Sequence, residues 1–292
     1  MNTELKTPFR IYWDLPAGAA DAGHMAIAEQ LIAQQILSVD LTAPADCSHW
    51  LPLIERLSMV QMALSVTIPL GSFSPALLSS LLQCSVKNLN LAIETSADLV
   101  CFDGDAFRGA GKTVMGMSVA VTAENYRQLS HLYAFCIDQG FSLVLPMQRL
   151  VPGGNYFALN REERQILADS ISGMSKPGKM QVTVHDPFLW RIFFPTLDFP
   201  EGRCQAANTM LFITAEGNVL PCPSLPVTLG NFREMSLAAI VKSEKKRNLR
   251  ERLLQAPDGC VACASLASCF GGCRGRAYVA GGSWDGSDPG CR

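Results

Sequence analysis

Between residues 9 and 184, short apolar runs alternate with segments whose apolar positions recur every three or four residues. Residues 9–15 (FRIYWDL), 36–41 (ILSVDL), 62–68, 89–93, 114–121, 141–145 and 180–184 have the length and composition of strands. The segments between them predict helices over 25–35, 50–57, 74–82, 122–140 and 161–172. In the first, Met25, Ile27, Ala28, Leu31 and Ile32 form one apolar stripe. Ser74 can cap the third, with Pro75 at its first helical position. Thr122 is read as the cap of the fourth, with Glu124 in its first turn and Gly140 at its end. Repeated strand–helix units predict an α/β fold with a parallel sheet. Right-handed crossovers curl such a sheet toward a full or partial barrel, although periodicity alone does not separate that from an open sheet.

The pattern breaks near residue 196, where Pro195, Pro200 and Gly202 precede a run of clustered cysteines. This divides the chain into an α/β domain, residues 1–195, and a small cysteine-rich domain, residues 196–292. Within the second, residues 236–254 predict a charged helix. Its basic run, KSEKKRNLRER, reads as a solvated face that could also dock an acidic partner.

Apolar residues make up 48% of the 292, enough for a sizeable core. A net charge of −2 offers no basic surplus for nucleic acid or an acidic membrane. The first ten residues lack the apolar run of a signal peptide, and no apolar stretch approaches the ~20 residues of a membrane span. A soluble cytoplasmic protein is expected, where thiols stay reduced. That makes the eleven cysteines informative. Cys47, Cys84, Cys101 and Cys136 are scattered, as small buried hydrophobes are. The other seven follow a spacing: Cys204-x12-Gly217-x4-Cys222, then Cys260-x2-Cys263-x5-Cys269-x3-Cys273, then Cys291. Thiolates so spaced suit a soft cation or an iron–sulfur cluster. Gly217, in AEGN, fits a hairpin turn that brings Cys204 and Cys222 together. Gly271 and Gly272 would let the backbone approach a cluster. Zinc is the alternative, but two four-thiolate zinc sites need eight ligands.

These residues, with the surrounding LPCPSLPVTLGNF and CFGGCRGRAY, resemble the SPASM domain of radical S-adenosylmethionine peptide maturases. The resemblance implies two 4Fe–4S clusters: an outer one on Cys260, Cys263, Cys269 and Cys291, and an inner one on Cys204, Cys222 and Cys273. Some relatives have an eighth cysteine just upstream; Asp198, Pro200, Glu201 and Gly202 stand there instead, which implies an open iron, a carboxylate or a partner ligand.

The first domain resembles the radical S-adenosylmethionine partial barrel in degenerate form. Active members follow the first strand with Cys-x3-Cys-x2-Cys, and the second with Gly-Gly-Glu-Pro. Here residues 16–22 read PAGAADA and residues 43–46 read APAD. The resemblance therefore implies no S-adenosylmethionine and no radical generation. It extends to the SPASM-domain proteins of GeoRSP peptide-maturation systems, which implies three partners: an intact radical SPASM enzyme, a small peptide chaperone and a precursor peptide. The expected function is an iron–sulfur accessory subunit, either an electron relay or a scaffold. A purely structural, metal-stapled partner is the alternative.

Three other features invite a site and are read as structural. Cys47 and His49 are a conceivable metal pair; residues 109–113 (GAGKT) lack the first glycine of a phosphate loop; His24, His131 and His185 have no spaced partner.

Overall fold

Strand β1 (Arg10–Asp14) sets the two-sided character of the whole sheet. Ile11 and Trp13 join the main apolar core, whereas Tyr12 points the other way and packs with Phe212 and Leu220. The computed structural model describes all residues except 1–4, 6, 101, 109–110, 175–177, 179, 198–203 and 292. After β1 come α1 (Ala22–Ala33), β2 (Ser38–Thr42), α2 (Leu51–Ser58), β3 (Ala63–Pro69), α3 (Pro75–Gln83), β4 (Asn88–Ile93) and β5 (Val114–Val119). There follow α4 (Leu129–Gln139), β6 (Ser142–Leu145), α5 (Arg161–Ile171), β7 (Val182–Val184) and α6 (Pro187–Phe193). The C-terminal part contains β8 (Met210–Ile213), β9 (Asn218–Leu220), β10 (Gly230–Asn231), α7 (Leu237–Lys242), α8 (Glu244–Leu253), α9 (Leu266–Cys269) and α10 (Arg274–Gly281).

All ten strands form one sheet, in the order β10-β9-β8-β1-β2-β3-β4-β5-β6-β7. From β8 to β7 every neighbouring pair is parallel; β8, β9 and β10 pair antiparallel. The sheet therefore runs across the boundary at residue 196, with Arg10 in register with Met210 on one side and Ser38 on the other.

The sheet curls into a partial barrel. Arg149, beyond β6, donates to both carboxylate oxygens of Asp14 on β1 at 2.9 and 3.1 Å, and to the Thr42 hydroxyl at 3.0 Å. The Tyr12 hydroxyl lies 3.3 Å from His185 Nε2, just past β7. Parallel strands are commonly apolar on both faces. Here they alternate: Val39, Leu41, Leu64, Val66, Leu89 and Leu91 enter the helix-covered core. Asp40, Ser65, Thr67, Asn88 and Asn90 occupy the opposite positions on their strands and face the concave side. There Asn88 donates to the Ser65 hydroxyl at 2.8 Å, and Arg10 lies 3.6 Å from Asp40.

Most expected elements are present, with two differences. Helix α4 starts at Leu129, not at Thr122, because Asn125 accepts the Thr122 N–H and donates to the Glu94 and Ala120 carbonyls, all at 2.8 Å. Gly140, at φ +70°, does end it. The charged helix breaks at Ser243, whose hydroxyl accepts the Lys246 N–H and starts α8. Among the described residues between β4 and β5 there is no α-helix; Phe102 and Phe107 cover that stretch, with Phe107 5.3 Å from the Phe141 ring. Among the described residues, no helix is long and apolar enough to cross a membrane.

The concave face makes a testable pH dependence. Burial lowers the His185 imidazole to about 4, and the positive charges of Arg10 and Arg149 act in the same direction. The unfolded chain takes up this proton near pH ~6.5, so stability present above that pH is lost as pH falls toward 4. Denaturant midpoints should drop across this window, and His185→Gln should flatten the drop. An equal slope in wild type and variant would remove His185 as its source.

Candidate functional site

The β8–β9 hairpin brings the first two clustered cysteines together. Gly217 turns it at φ +82°, and the Ala207 N–H donates to the Pro221 carbonyl at 2.8 Å, so Cys204 and Cys222 flank one end. Cys273 arrives from the far side as the residue that opens α10. These three cysteines line one cavity of about 290 Å³, with Cys269 also in its wall. The opposite wall belongs to the barrel: Met147, Gln148 and Phe157 after β6, and residues 184–190 around the end of β7.

Charge effects among the thiols link Cys222 with Cys204 and Cys273, and Cys291 with Cys260, Cys263 and Cys269. Burial pushes the Cys222 thiol well up, and Cys204 and Cys273 add to the shift. Burial also raises Cys291, and its further contributors include Cys269, Cys260 and Cys263. Burial pushes Cys273 up to about 11 against the opposing Arg276 guanidinium. Free thiols in such surroundings stay protonated near neutral pH, so ligation has to displace protons. The outer set lies nearer the surface: Cys263 and Cys291 are exposed, Cys269 is half-buried and Cys260 is buried. Among the described residues, no three Cys, His, Asp or Glu side chains converge closely enough to hold a single ion. A tetrahedral zinc would need its sulfurs within about 4 Å of one another. Charge coupling reaches further than that, and a cluster spreads its thiolates more widely than one ion does. The donor type, the grouping into three and four and the cavity fit iron–sulfur clusters.

Charged side chains that the sequence reading did not single out hold this site. Arg276, 3% exposed, donates Nε to Asp288 Oδ1 at 2.9 Å and Nη2 to Oδ2 at 2.8 Å, and Nη1 pairs with Asp186. Asp186, just past β7, also caps α6 by accepting the Phe188 and Leu189 N–H groups. Asp288 accepts the Cys273 N–H at 2.6 Å. Arg250 donates to the Cys204 and Ala206 carbonyls at 2.6 and 2.8 Å. The basic run is thus not only a solvated face, since Lys246 and Arg250 are buried within it. His185 lines the cavity as well. The one available signal was charge placed among apolar residues beside the cysteines, in CRGRAY and NLRERLL.

The remaining sequence expectations resolve individually. Gly271 and Gly272 take φ +85° and +70°, and an added Cβ would meet Pro257 and Asp288 respectively; protein packing already demands these glycines. Cys47 and Cys136 are buried, and burial pushes them up to about 11 and 12. His49 pairs with Asp46, not with Cys47. Thr113 of the GAGKT segment donates to the Val86 carbonyl at 2.8 Å, whereas residues 109–110 lie outside the described residues. Cys101 and the stretch containing Asp198, Pro200, Glu201 and Gly202 lie outside them as well. Where active relatives of the barrel carry cysteines, residues 17–19 are exposed and lead into α1. There Asp21 accepts the His24 N–H at 2.9 Å and His24 accepts that of Asp21 at 3.2 Å.

Residues 204–264 match the SPASM family, an iron–sulfur cluster-binding domain. The whole chain is similar to Streptococcus suis SuiB, with a TM-score of 0.68 and 16% identity over 99% of this chain and 78% of that one. SuiB has also been solved with S-adenosylmethionine and, at a TM-score of 0.66, with precursor peptide SuiA. It is similar too to anSMEcpe with bound AdoMet, with a TM-score of 0.67 and 14% identity over 97% of this chain and 91% of that one. At such identities the likeness shows a fold: a radical S-adenosylmethionine-like α/β partial barrel continued by a SPASM domain.

The tightest joint in the site is Gly275, where an added Cβ would overlap the Ser224 carbonyl just after Cys222. Gly275→Ala should push α10 away from the Cys222 loop, lower stability by at least about 2 kcal/mol and reduce iron loading. Chemical denaturation and iron analysis check this. Wild-type values for both would mean that the joint yields freely.

Proposed function

We propose that this protein is an iron–sulfur accessory subunit of a peptide-modification system, carrying two 4Fe–4S clusters and not itself cleaving S-adenosylmethionine. The observation that carries this reading is the placement of the clustered thiols: Cys204, Cys222 and Cys273 line a cavity against the barrel with Cys269 in its wall, and Cys263 and Cys291 are exposed. Cys204, Cys222 and Cys273 would hold the inner cluster, and Cys260, Cys263, Cys269 and Cys291 the outer, within a SPASM domain taken as residues 196–292. The clusters supply one-electron transfer and, at an iron lacking a protein thiolate, a place for a soft ligand.

The chain's own residues provide the setting. Arg250 and Asp288 fix the backbone beside Cys204 and Cys273. Phe157, Phe188 and Trp190 give the cavity a largely apolar wall. The precursor peptide seen on SuiB supports a peptide as the object of the system. An intact radical enzyme, a peptide chaperone and the GeoRSP assignment belong to the same proposal. A structural role for the outer cluster has its own support: Cys260, Cys263 and Cys269 sit between α8 and α10 in short turns and the four-residue helix α9, and Cys291 lies in a short turn after α10.

Anaerobic reconstitution should yield about eight irons and eight sulfides per chain. Zinc without labile sulfide would sink the cluster reading. Loaded protein given S-adenosylmethionine and a strong reductant should form no 5′-deoxyadenosine. Turnover above a protein-free control would show that the chain is itself a radical enzyme.

A further inference from the structure

Asp288 lies between the two cysteine sets and touches both. Its Oδ2 accepts the Cys273 N–H at 2.6 Å, on the inner side. Its Oδ1 accepts the Gly290 N–H at 2.9 Å, and its carbonyl accepts the N–H of Cys291, on the outer side. The carboxylate is 1% exposed and is held at both oxygens by Arg276, whose third nitrogen reaches Asp186. One guanidinium and two carboxylates thus sit in the protein interior beside one ligand of each set. Burying such a group carries a desolvation cost that well-packed apolar residues would avoid, so stability alone is a poor reason for it.

Reducing a cluster adds one negative charge. A buried cation nearby favours that step and a buried carboxylate opposes it, more strongly than either would in water. Arg276 lies three residues after Cys273 and sits on the Asp288 carboxylate, whereas Asp288 is hydrogen-bonded to the backbone of both Cys273 and Cys291. We propose that the Arg276–Asp288 pair is a shared positioning and charge-setting element, which fixes Cys273 relative to Cys291 and sets the reduction potentials of the two clusters. Arg276 raises the potential of the inner cluster, and Asp288 lowers the potentials of both. The inference rests on the iron–sulfur reading above.

The test is redox titration of the full-length, iron-loaded protein, followed by electron paramagnetic resonance, after iron and sulfide have been counted. Arg276→Gln should shift the inner midpoint to a more negative potential, while Arg276→Lys, which keeps the charge, should leave it near the wild-type value. Asp288→Asn should move both midpoints to more positive potentials. Unmoved midpoints in fully loaded Arg276→Gln would overturn the proposal, as would a Lys variant that shifts as far as the Gln variant. Should Arg276→Gln fail to load, Asp288→Asn decides: midpoints that stay put or move to more negative potentials refute the charge-setting role. Wild-type protein without iron or sulfide would instead defeat the cluster reading itself, so the two failures are distinguishable.

Discussion

One guanidinium holds the last strand of the barrel to the end of the chain. Arg276 reaches Asp186, which follows β7, with one nitrogen and Asp288 with the other two. Removing either kind of partner from a buried ion pair typically costs about 3–5 kcal/mol, because the charge left behind has no water. This joint has company at the opposite edge, where β8 pairs with β1 and Arg250 grips the carbonyls of Cys204 and Ala206. The cysteine-rich segment is therefore attached to the barrel twice: through the sheet at one edge and through buried charge at the other. The cavity between Cys204, Cys222 and Cys273 is what these two attachments enclose.

The polar concave face belongs to the same construction. A curled sheet whose mouth is not filled by apolar side chains has to satisfy its polar groups internally. Asn88 with Ser65, and Arg149 with Asp14 and Thr42, do this through hydrogen bonds, whereas Arg10 Nε and Asp40 Oδ2 meet only as an ion pair at 3.6 Å. His185 stands where this surface meets the cavity: it lies 3.3 Å from the Tyr12 hydroxyl and lines the cavity as well.

The strands were legible because they have strand length and alternate apolar with polar positions, as Leu64, Val66 and Ile68 do with Ser65 and Thr67, but the choice of a partial barrel over an open sheet came from the resemblance. The cysteine spacing carried the resemblance, and the resemblance implied the two thiol sets. What stayed hidden depended on long-range hydrogen bonds. Thr122 has the chemistry of a cap, but Asn125 holds that turn out of the helix through carbonyls as distant as Glu94. Arg250 and Arg276 look like surface charge in a one-dimensional reading, since their partners lie 12 to 90 residues away. At the glycines after Cys269 protein neighbours also exclude a side chain, Pro257 at Gly271 and Asp288 at Gly272, which their place beside the cysteines did not reveal.

The two thiol sets differ in depth as well as in number, and depth bears on the choice between relay and staple. A staple works wherever it ties loops together, and the outer four thiols, two of them exposed, sit among short turns that would profit from it. That argument is weaker for the inner three. Their segments are already fixed by the β8–β9 hairpin, by Arg250 and by Asp288. A metal there adds little that hydrogen bonds and packing have not supplied. What the inner position does offer is contact with a cavity on the barrel side and, through Asp288, with the outer set that reaches the surface. With Cys263 and Cys291 exposed and Cys204, Cys222 and Cys273 on the cavity, the proposed clusters would lead from the surface to the cavity, a placement that suits electron transfer and that stapling does not need.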